Sequence, residues 1–397
     1  MKHIKPLISL LLGVAMTLAS VTAIAANDIT IGVLGVMSGA SASWGLTNKY
    51  SAEATANMYN AKGGIVIDGK KYRIKIVTID EKNDPKLAVA GAERLTSQGI
   101  KYIIGPNIDS TATSVAPVMD RAGAMHFPYA FSKALYLPPK GSSVLGMVAS
   151  YQAGPTIYKY LKNNKGVKSV SFVARNEADA LNQQKEGVVA AKALGLKVKN
   201  RRATYEPGTT DFFPVVSKLV RGRRAPDLLV LSGVAPADAP LLIKAARELG
   251  YKGFISTETA QDIKILNEAA GSAANGFISV GGASTPAISS KYMNSFIRAY
   301  KKVAGEWNDE AGTKVYALEM ILRNLQKAGA GAIEDTSKFR ASMDTFNEVN
   351  PFIKGGQERL VFTGSAFFKQ KRQLGVPMVV NEVRDGKFKT LFIGSVE

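Results

Sequence analysis

The feature that most limits what this chain can fold into is an alternation of strand-length apolar runs with helix-length segments, and it begins twice. Residues 29–36 are a continuous apolar run, as a strand buried on both faces gives. The run ends in the loop Ser38-Gly39-Ala40-Ser41-Ala42-Ser43-Trp44-Gly45. A helix is predicted over 47–61, stopped by Gly63-Gly64. A strand follows over 72–79, and Asp84-Pro85 opens a helix that runs through Leu95, with Pro85 in its first turn. The third strand covers 102–104, is broken by Gly105-Pro106, and leads to Ser110, Thr111 and Thr113 at the next helix start.

The pattern restarts near residue 150. Strands are predicted over 170–174, 198–205, 228–231 and 254–256, with helices over 180–194, 212–220 and 237–249. Segment 84–105 and segment 211–233 share one plan of cap, helix, turn, apolar strand and glycine. Helices return over 290–303, 309–328 and 336–346, and 356–393 reads as hairpin-like strands. The fold class is therefore α/β, with two similar lobes, each a mainly parallel sheet covered by helices on both faces. In such sheets ligands sit beyond the carboxyl ends of the strands. The loops at 38–44, 107–113, 129–132, 175–179, 232–238 and 257–262 occupy those places.

The first 25 residues read as a secretory signal peptide. Lys2 and Lys5 precede an apolar run over 7–21, and Ala23-Ile24-Ala25 is a small-x-small cleavage site. Cleavage is expected after Ala25 or Ala26, with export to a bacterial periplasm. The chain has no cysteine, which excludes disulfides, thiolate nucleophiles and a lipid anchor on Cys. Of two histidines, His3 leaves with the signal, so His126 is the one imidazole of the mature chain. A His-rich metal site is excluded, and no metal or cofactor is expected. The formal charge of +19 reads as a solvated basic surface, because Arg201-Arg202 and Arg221-Gly222-Arg223-Arg224 lack interleaved aromatics. No nucleic-acid partner is expected.

Enzymatic readings lack their chemistry. The first loop does not keep the G-x-G-x-x-G spacing of a dinucleotide fold, and no G-x-S-x-G elbow occurs. His126 lies in an apolar strand-like run, the setting of a core or edge histidine rather than a general base. The hydroxyls of Ser110, Thr111 and Ser132 serve either as helix caps or, with N–H groups at helix starts, as a carboxylate site. Glu258 reads either as a surface acid or as the counter-charge of a ligand ammonium.

Several motifs in order carry a resemblance. They are Met37-Ser38-Gly39 to Trp44-Gly45, Asn60-Ala61-Lys62-Gly63-Gly64-Ile65, Asp84-Pro85, Ile104-Gly105-Pro106, Pro207-Gly208-Thr209-Thr210-Asp211-Phe212, Ala246-Arg247-Glu248-Leu249-Gly250 and Ala274-Asn275-Gly276. Together they resemble the Leu/Ile/Val-binding family of periplasmic ABC-importer substrate-binding proteins. The resemblance implies a two-lobed type I periplasmic binding fold with three crossovers. The lobes would be 26–149 with 281–375, and 150–280 with 376–397. It also implies ligand contacts. Ser110, Ser132 and the Ala130 N–H would hold an α-carboxylate, with Thr111 beside them. Trp44 takes the aromatic place in the first loop, and Glu258 the place of the acid that receives an α-ammonium. The second lobe departs from the family pattern. Asp179 stands where the family has an aromatic, and Ser232-Gly233-Val234-Ala235 replaces a Gly-Gly-Tyr loop, so Ala235 is a smaller wall.

The expected function is that of a non-enzymatic periplasmic solute-binding protein. It would bind an amino acid or amino-acid-like molecule between the lobes and deliver it, as a monomer, to an inner-membrane ABC permease. The alternative is a ligand-sensing receptor of the same fold that feeds a signalling partner.

Overall fold

The computed structural model describes residues 27–394. The signal segment expected over 1–25 lies outside the described residues. The first lobe is built from β1 (Asn27–Gly35), α1 (Ala42–Asn60), β2 (Ile65–Ile67), β3 (Lys70–Asp80), α2 (Pro85–Ser97), β4 (Tyr102–Ile104), α3 (Asp109–Ala122) and β5 (Met125–Phe127). The second contains α4 (Ser150–Lys165), β6 (Ser169–Arg175), α5 (Ala178–Ala193), β7 (Lys197–Tyr205), α6 (Phe213–Val220), β8 (Leu228–Ser232), α7 (Ala239–Glu248), β9 (Phe254–Ala260), α8 (Ile263–Ala270) and β10 (Phe277–Gly281). Then come α9 (Lys291–Ala304), α10 (Tyr316–Ala328), α11 (Thr336–Met343), β11 (Asn347–Val349), β12 (Arg359–Thr363), α12 (Ser365–Phe368), β13 (Gln373–Gly375), β14 (Met378–Arg384) and β15 (Lys387–Gly394).

The first large sheet has the order β2-β3-β1-β4-β5, the second β15-β14-β10-β9-β8-β6-β7, and a small third sheet joins β11-β12-β13. Only β2 in the first, and β14 and β15 in the second, run antiparallel to their neighbours. Side chains on β1 alternate between two cores. Ile29, Ile31 and Val33 join the large core with Ala52 and Ala56 of α1, and Leu34 joins Ala88, Leu95 and Met119 on the other face. This double burial is why the strand reads as an unbroken apolar run. The α2 start behaves as read: Asp84 accepts from the N–H groups of Lys86 and Leu87, and Pro85 fills the first position. Such a cap is worth about 1 kcal/mol.

The chain passes between the lobes three times: after β5, after β10, where α9 and α10 return to pack on α1, and after β13. The second passage explains a departure from the sequence reading. The helix expected over 309–328 is broken: 309–313 is a 3-10 turn, and α10 starts only at Tyr316. Here the turn's backbone lies against the passage, with the Ala283 N–H donating to Gly312 O at 2.9 Å. A Cβ on Gly282 would meet the Gly312 carbonyl carbon at 2.2 Å and its oxygen at 2.4 Å, so glycine at 282 permits the approach. Helices α4 and α8 and strand β10 were not anticipated. In α4, Gly154 is where the helix rests on β9, with Glu258 Cγ 3.3 Å from an added Cβ.

Candidate functional site

The first wall grows from loops of the five-stranded sheet. Gly45 lets α1 begin close to β1: its N–H donates to Val36 O at 3.0 Å, where a Cβ would strike that oxygen. Helix α1 therefore starts at Ala42, ahead of the predicted position, and carries Trp44 in its first turn. Asn107, after β4, donates from Nδ2 to Trp44 O at 3.1 Å and ties the two loops together. Asp109 opens α3. Its Oδ1 accepts the main-chain N–H groups of Phe131 (2.6 Å) and Ser132 (3.0 Å), which follow β5. Tyr136 donates its hydroxyl to Ala130 O at 2.6 Å, which fixes the same segment.

The second wall comes from the seven-stranded sheet. Arg175 ends β6 and is buried; its Nε bonds Glu177 at 2.5 Å and its Nη2 bonds Asp179 at 3.3 Å. Its guanidinium lies 5.5 Å from the centre of the Trp44 ring on the facing lobe. Asp179 and Gln183 share the cavity side of α5, four residues apart. Thr259 and Ala260 end β9. The floor is the 3-10 turn with Glu310, Thr313 and Lys314. Ser43 donates to Glu310 Oε2 at 2.6 Å, and Lys314 Nζ sits 3.7 Å from the centre of the Tyr129 ring.

Together Trp44, Asn107, Asp109, Tyr129, Ala130, Phe131, Met147, Asp179, Gln183, Thr259, Ala260, Glu310, Thr313 and Lys314 line one cavity between the two walls. A neighbouring recess shares Asp109, Phe131 and Gln183 and adds Ser132, Lys133, Asn182 and Glu186. The lobes touch across the mouth: Asn83 donates to Glu177 at 3.2 Å, and Lys133 pairs with Glu186 at 3.0 Å.

Burial dominates the electrostatics. It pushes the Asp179 carboxyl up to about 6 against the pull of Arg175. It raises Asp109 although two N–H groups pull the other way. It raises Glu310 and lowers Lys314, each partly countered by the other's charge. Four acceptors in the lining have no partner, Asn107 Oδ1, Asp179 Oδ1, Gln183 Oε1 and Glu310 Oε1, and neither has the Tyr129 hydroxyl. Among the described residues no cluster of three or more metal-ligating groups occurs.

Of the residues singled out from sequence, Trp44, Ala130 and Asp179 line the cavity, and Ser132 lines the neighbouring recess. The other four stand behind the walls. Ser110 is partly exposed and offers its carbonyl to the hydroxyls of Thr113 and Ser114. Thr111 is buried and donates to Ile108 O at 3.1 Å. Ala235 O accepts the N–H groups of Asp238 and Ala239 at the start of α7. Glu258 points from β9 toward α4, where it accepts the Tyr158 hydroxyl, and burial pushes it up to about 7. His126 is buried in β5 with Nε2 2.6 Å from Ser143 Oγ; burial holds it down near 3, so it stays neutral. Sequence reasoning missed Asp109, Gln183, Glu310 and Lys314. Asp109 directly precedes Ser110 and was passed over for the hydroxyls. Gln183 follows Asp179 at helical spacing, which was a usable signal.

Two α/β lobes that meet over a shared cavity, joined by three passages of chain, define the type I periplasmic binding fold. The periplasmic binding protein family model matches residues 28–387, and the chain belongs to that family. It is 28% identical over 321 residues to the Leu/Ile/Val-binding protein of Escherichia coli strain K12, covering 79% of this chain and 82% of that one. Its fold matches the leucine binding protein LivK of Thermotoga maritima with a TM-score of 0.76 at 18% identity, covering 92% of this chain and 98% of that one. A Rhodopseudomonas palustris solute-binding protein of an ABC transporter, solved with 4-hydroxybenzoate, matches with a TM-score of 0.74 at 19% identity, covering 93% and 97%. The relatives are binding proteins rather than enzymes, and this chain is likewise a periplasmic binding protein. Among the described residues no helix is long and apolar enough to cross a membrane.

Proposed function

We propose that this protein is exported to the periplasm, captures a solute bearing an ammonium group in the interlobe cavity, and delivers it as a monomer to an inner-membrane ABC permease. The solute is an amino acid or an amino-acid-like compound. The observation that carries this reading is the set of unpartnered acceptors, Asn107 Oδ1, Asp179 Oδ1, Gln183 Oε1 and Glu310 Oε1. Buried acceptors left without donors are costly, and a ligand with N–H donors answers them. The charge balance agrees. Asp109, Asp179 and Glu310 line the cavity against a single lining cation, Lys314. An anionic aromatic acid would meet that surplus of carboxylates. The apolar part of the ligand would lie against Trp44, Tyr129 and Met147.

In this reading Trp44, Ala130 and Asp179 touch the ligand and Ser132 borders it, while Ser110, Thr111, Ala235 and Glu258 support the walls. The lobes would be 26–149 with 281–375 and 150–280 with 376–397, and binding would stabilise their closed arrangement. A thermal-shift screen over amino acids, amino-acid amides, polyamines and aromatic acids tests it. Ammonium-bearing compounds should raise the melting temperature, with about 2.7 kcal/mol of stabilisation at a hundredfold excess over Kd. Stabilisation by aromatic acids alone would overturn it.

A further inference from the structure

The charge of Asp109 has a consequence for which solute fits. Two main-chain N–H groups, those of Phe131 and Ser132, converge on a single oxygen, Oδ1, at 2.6 and 3.0 Å. Paired N–H groups of this kind hold a carboxylate, and here the carboxylate is the protein's own. It is not a remote structural group. Asp109 lines both the cavity and the neighbouring recess, and only 6% of it is exposed. The Asn182 side chain on α5 of the facing lobe also hydrogen-bonds it. A solute that places its own carboxylate at this end finds the N–H groups taken and a like charge in their place. In a site of low dielectric that repulsion is strong. Lys314 offers little compensation. Its ammonium already faces the Tyr129 ring at 3.7 Å and Met147 Sδ at 3.8 Å, with Glu310 one helical turn away.

We infer that Asp109 is a specificity-determining residue whose carboxylate occupies the anion cradle of the site, so that the solute is an amine or amide without a free carboxylate, such as an amino-acid amide, rather than a free amino acid. The inference rests on the reading of the cavity as an ammonium-binding site and narrows it.

The test uses matched pairs: leucine and leucinamide, valine and valinamide, phenylalanine and phenylalaninamide, each titrated calorimetrically into the wild-type protein. The amide of at least one pair should bind about tenfold or more tighter than its acid. Asp109→Ala, which frees both N–H groups, should shift that ratio toward the acid by about tenfold or more. Asp109→Asn keeps an oxygen where both N–H groups point but removes the charge, and should shift the ratio less. Circular dichroism checks that each variant folds, with Asp109→Ser as the substitute should Asp109→Ala not fold. Acids that bind the wild type as tightly as their amides overturn the inference and leave the ammonium-binding reading standing, as does a ratio that Asp109→Ala or Asp109→Ser leaves unchanged. If no member of any pair binds, both fall.

Discussion

The two walls of the cavity treat their buried charges in opposite ways. On the first wall the Asp109 carboxylate is satisfied by the main chain of its own lobe. On the second, one guanidinium is divided between two carboxylates, and Arg175 Nη1 and Asp179 Oδ1 remain without partners. The charged group of the first wall is satisfied before anything enters, although Asn107 Oδ1 and the Tyr129 hydroxyl beside it are open. The second wall has its charged groups short of contacts, and what enters, or what closes over it, has to supply them. Recognition of donors by charge therefore falls on the second wall and exclusion by charge on the first.

The largest effect that could break this comparison is at Asp179. Asp179→Asn leaves Arg175 buried with Glu177 as its one acid and should lower unfolding stability by about 3–5 kcal/mol in urea titrations. Asp109→Asn keeps an acceptor for both N–H groups and should cost only about 1 kcal/mol. Equal losses would mean that the walls are not different in kind.

Behind the second wall, Glu258 gives the next effect. Its folded carboxyl titrates near 7, raised by burial from an ordinary 4.5. A carboxyl raised in the folded state keeps its proton there while the unfolded chain has already lost one. Its contribution is thus fully present below about pH 4.5 and is lost as pH rises to about 7, by about 3–4 kcal/mol in all. Glu258→Gln should remove that loss. The stability difference between variant and wild type should grow in the variant's favour from pH 4.5 to 7 and then level off, as calorimetric melting at a series of pH values would show. A difference that stays flat over this interval would place Glu258 in a more polar setting than its contact with Tyr158 provides. The smallest effect sharpens the first wall. Ser132→Ala and Ser110→Ala leave both converging N–H groups in place, so each should change ligand affinity by less than about 0.5 kcal/mol. A tenfold loss by calorimetry would return the hydroxyls to a direct role.

Much of the fold was legible because it follows from local rules. β1 is apolar throughout because both its faces are covered, and α2 starts where Asp84 caps it. The site was less legible, because its key contacts join residues far apart in the chain. Asp109 reaches across to residues 131 and 132, and nothing in its neighbours distinguishes it from an ordinary first-turn acid. Lys314 and Glu310 sat in a segment read as helix, and their burial is set by the backbone approach at Gly312. Family correspondence assigned roles by position at Ser110 and Glu258, but the direction of a side chain depends on strand phase and helix register. On β9, Glu258 faces α4, while Thr259 lines the cavity.

The placement of the two tryptophans has an experimental consequence. The chain has only Trp44 and Trp307. Trp44 lines the cavity beneath Arg175, and Trp307 donates its indole N–H to Asp309 at 2.9 Å, at the start of the turn that packs against the second passage between the lobes. One indole thus stands in the cavity and the other near a passage between the lobes, so intrinsic fluorescence reports on both without a dye. Because no cysteine is present, a single engineered thiol on either lobe would carry an energy-transfer acceptor at a chosen place, and the distance change on closing could be read in solution.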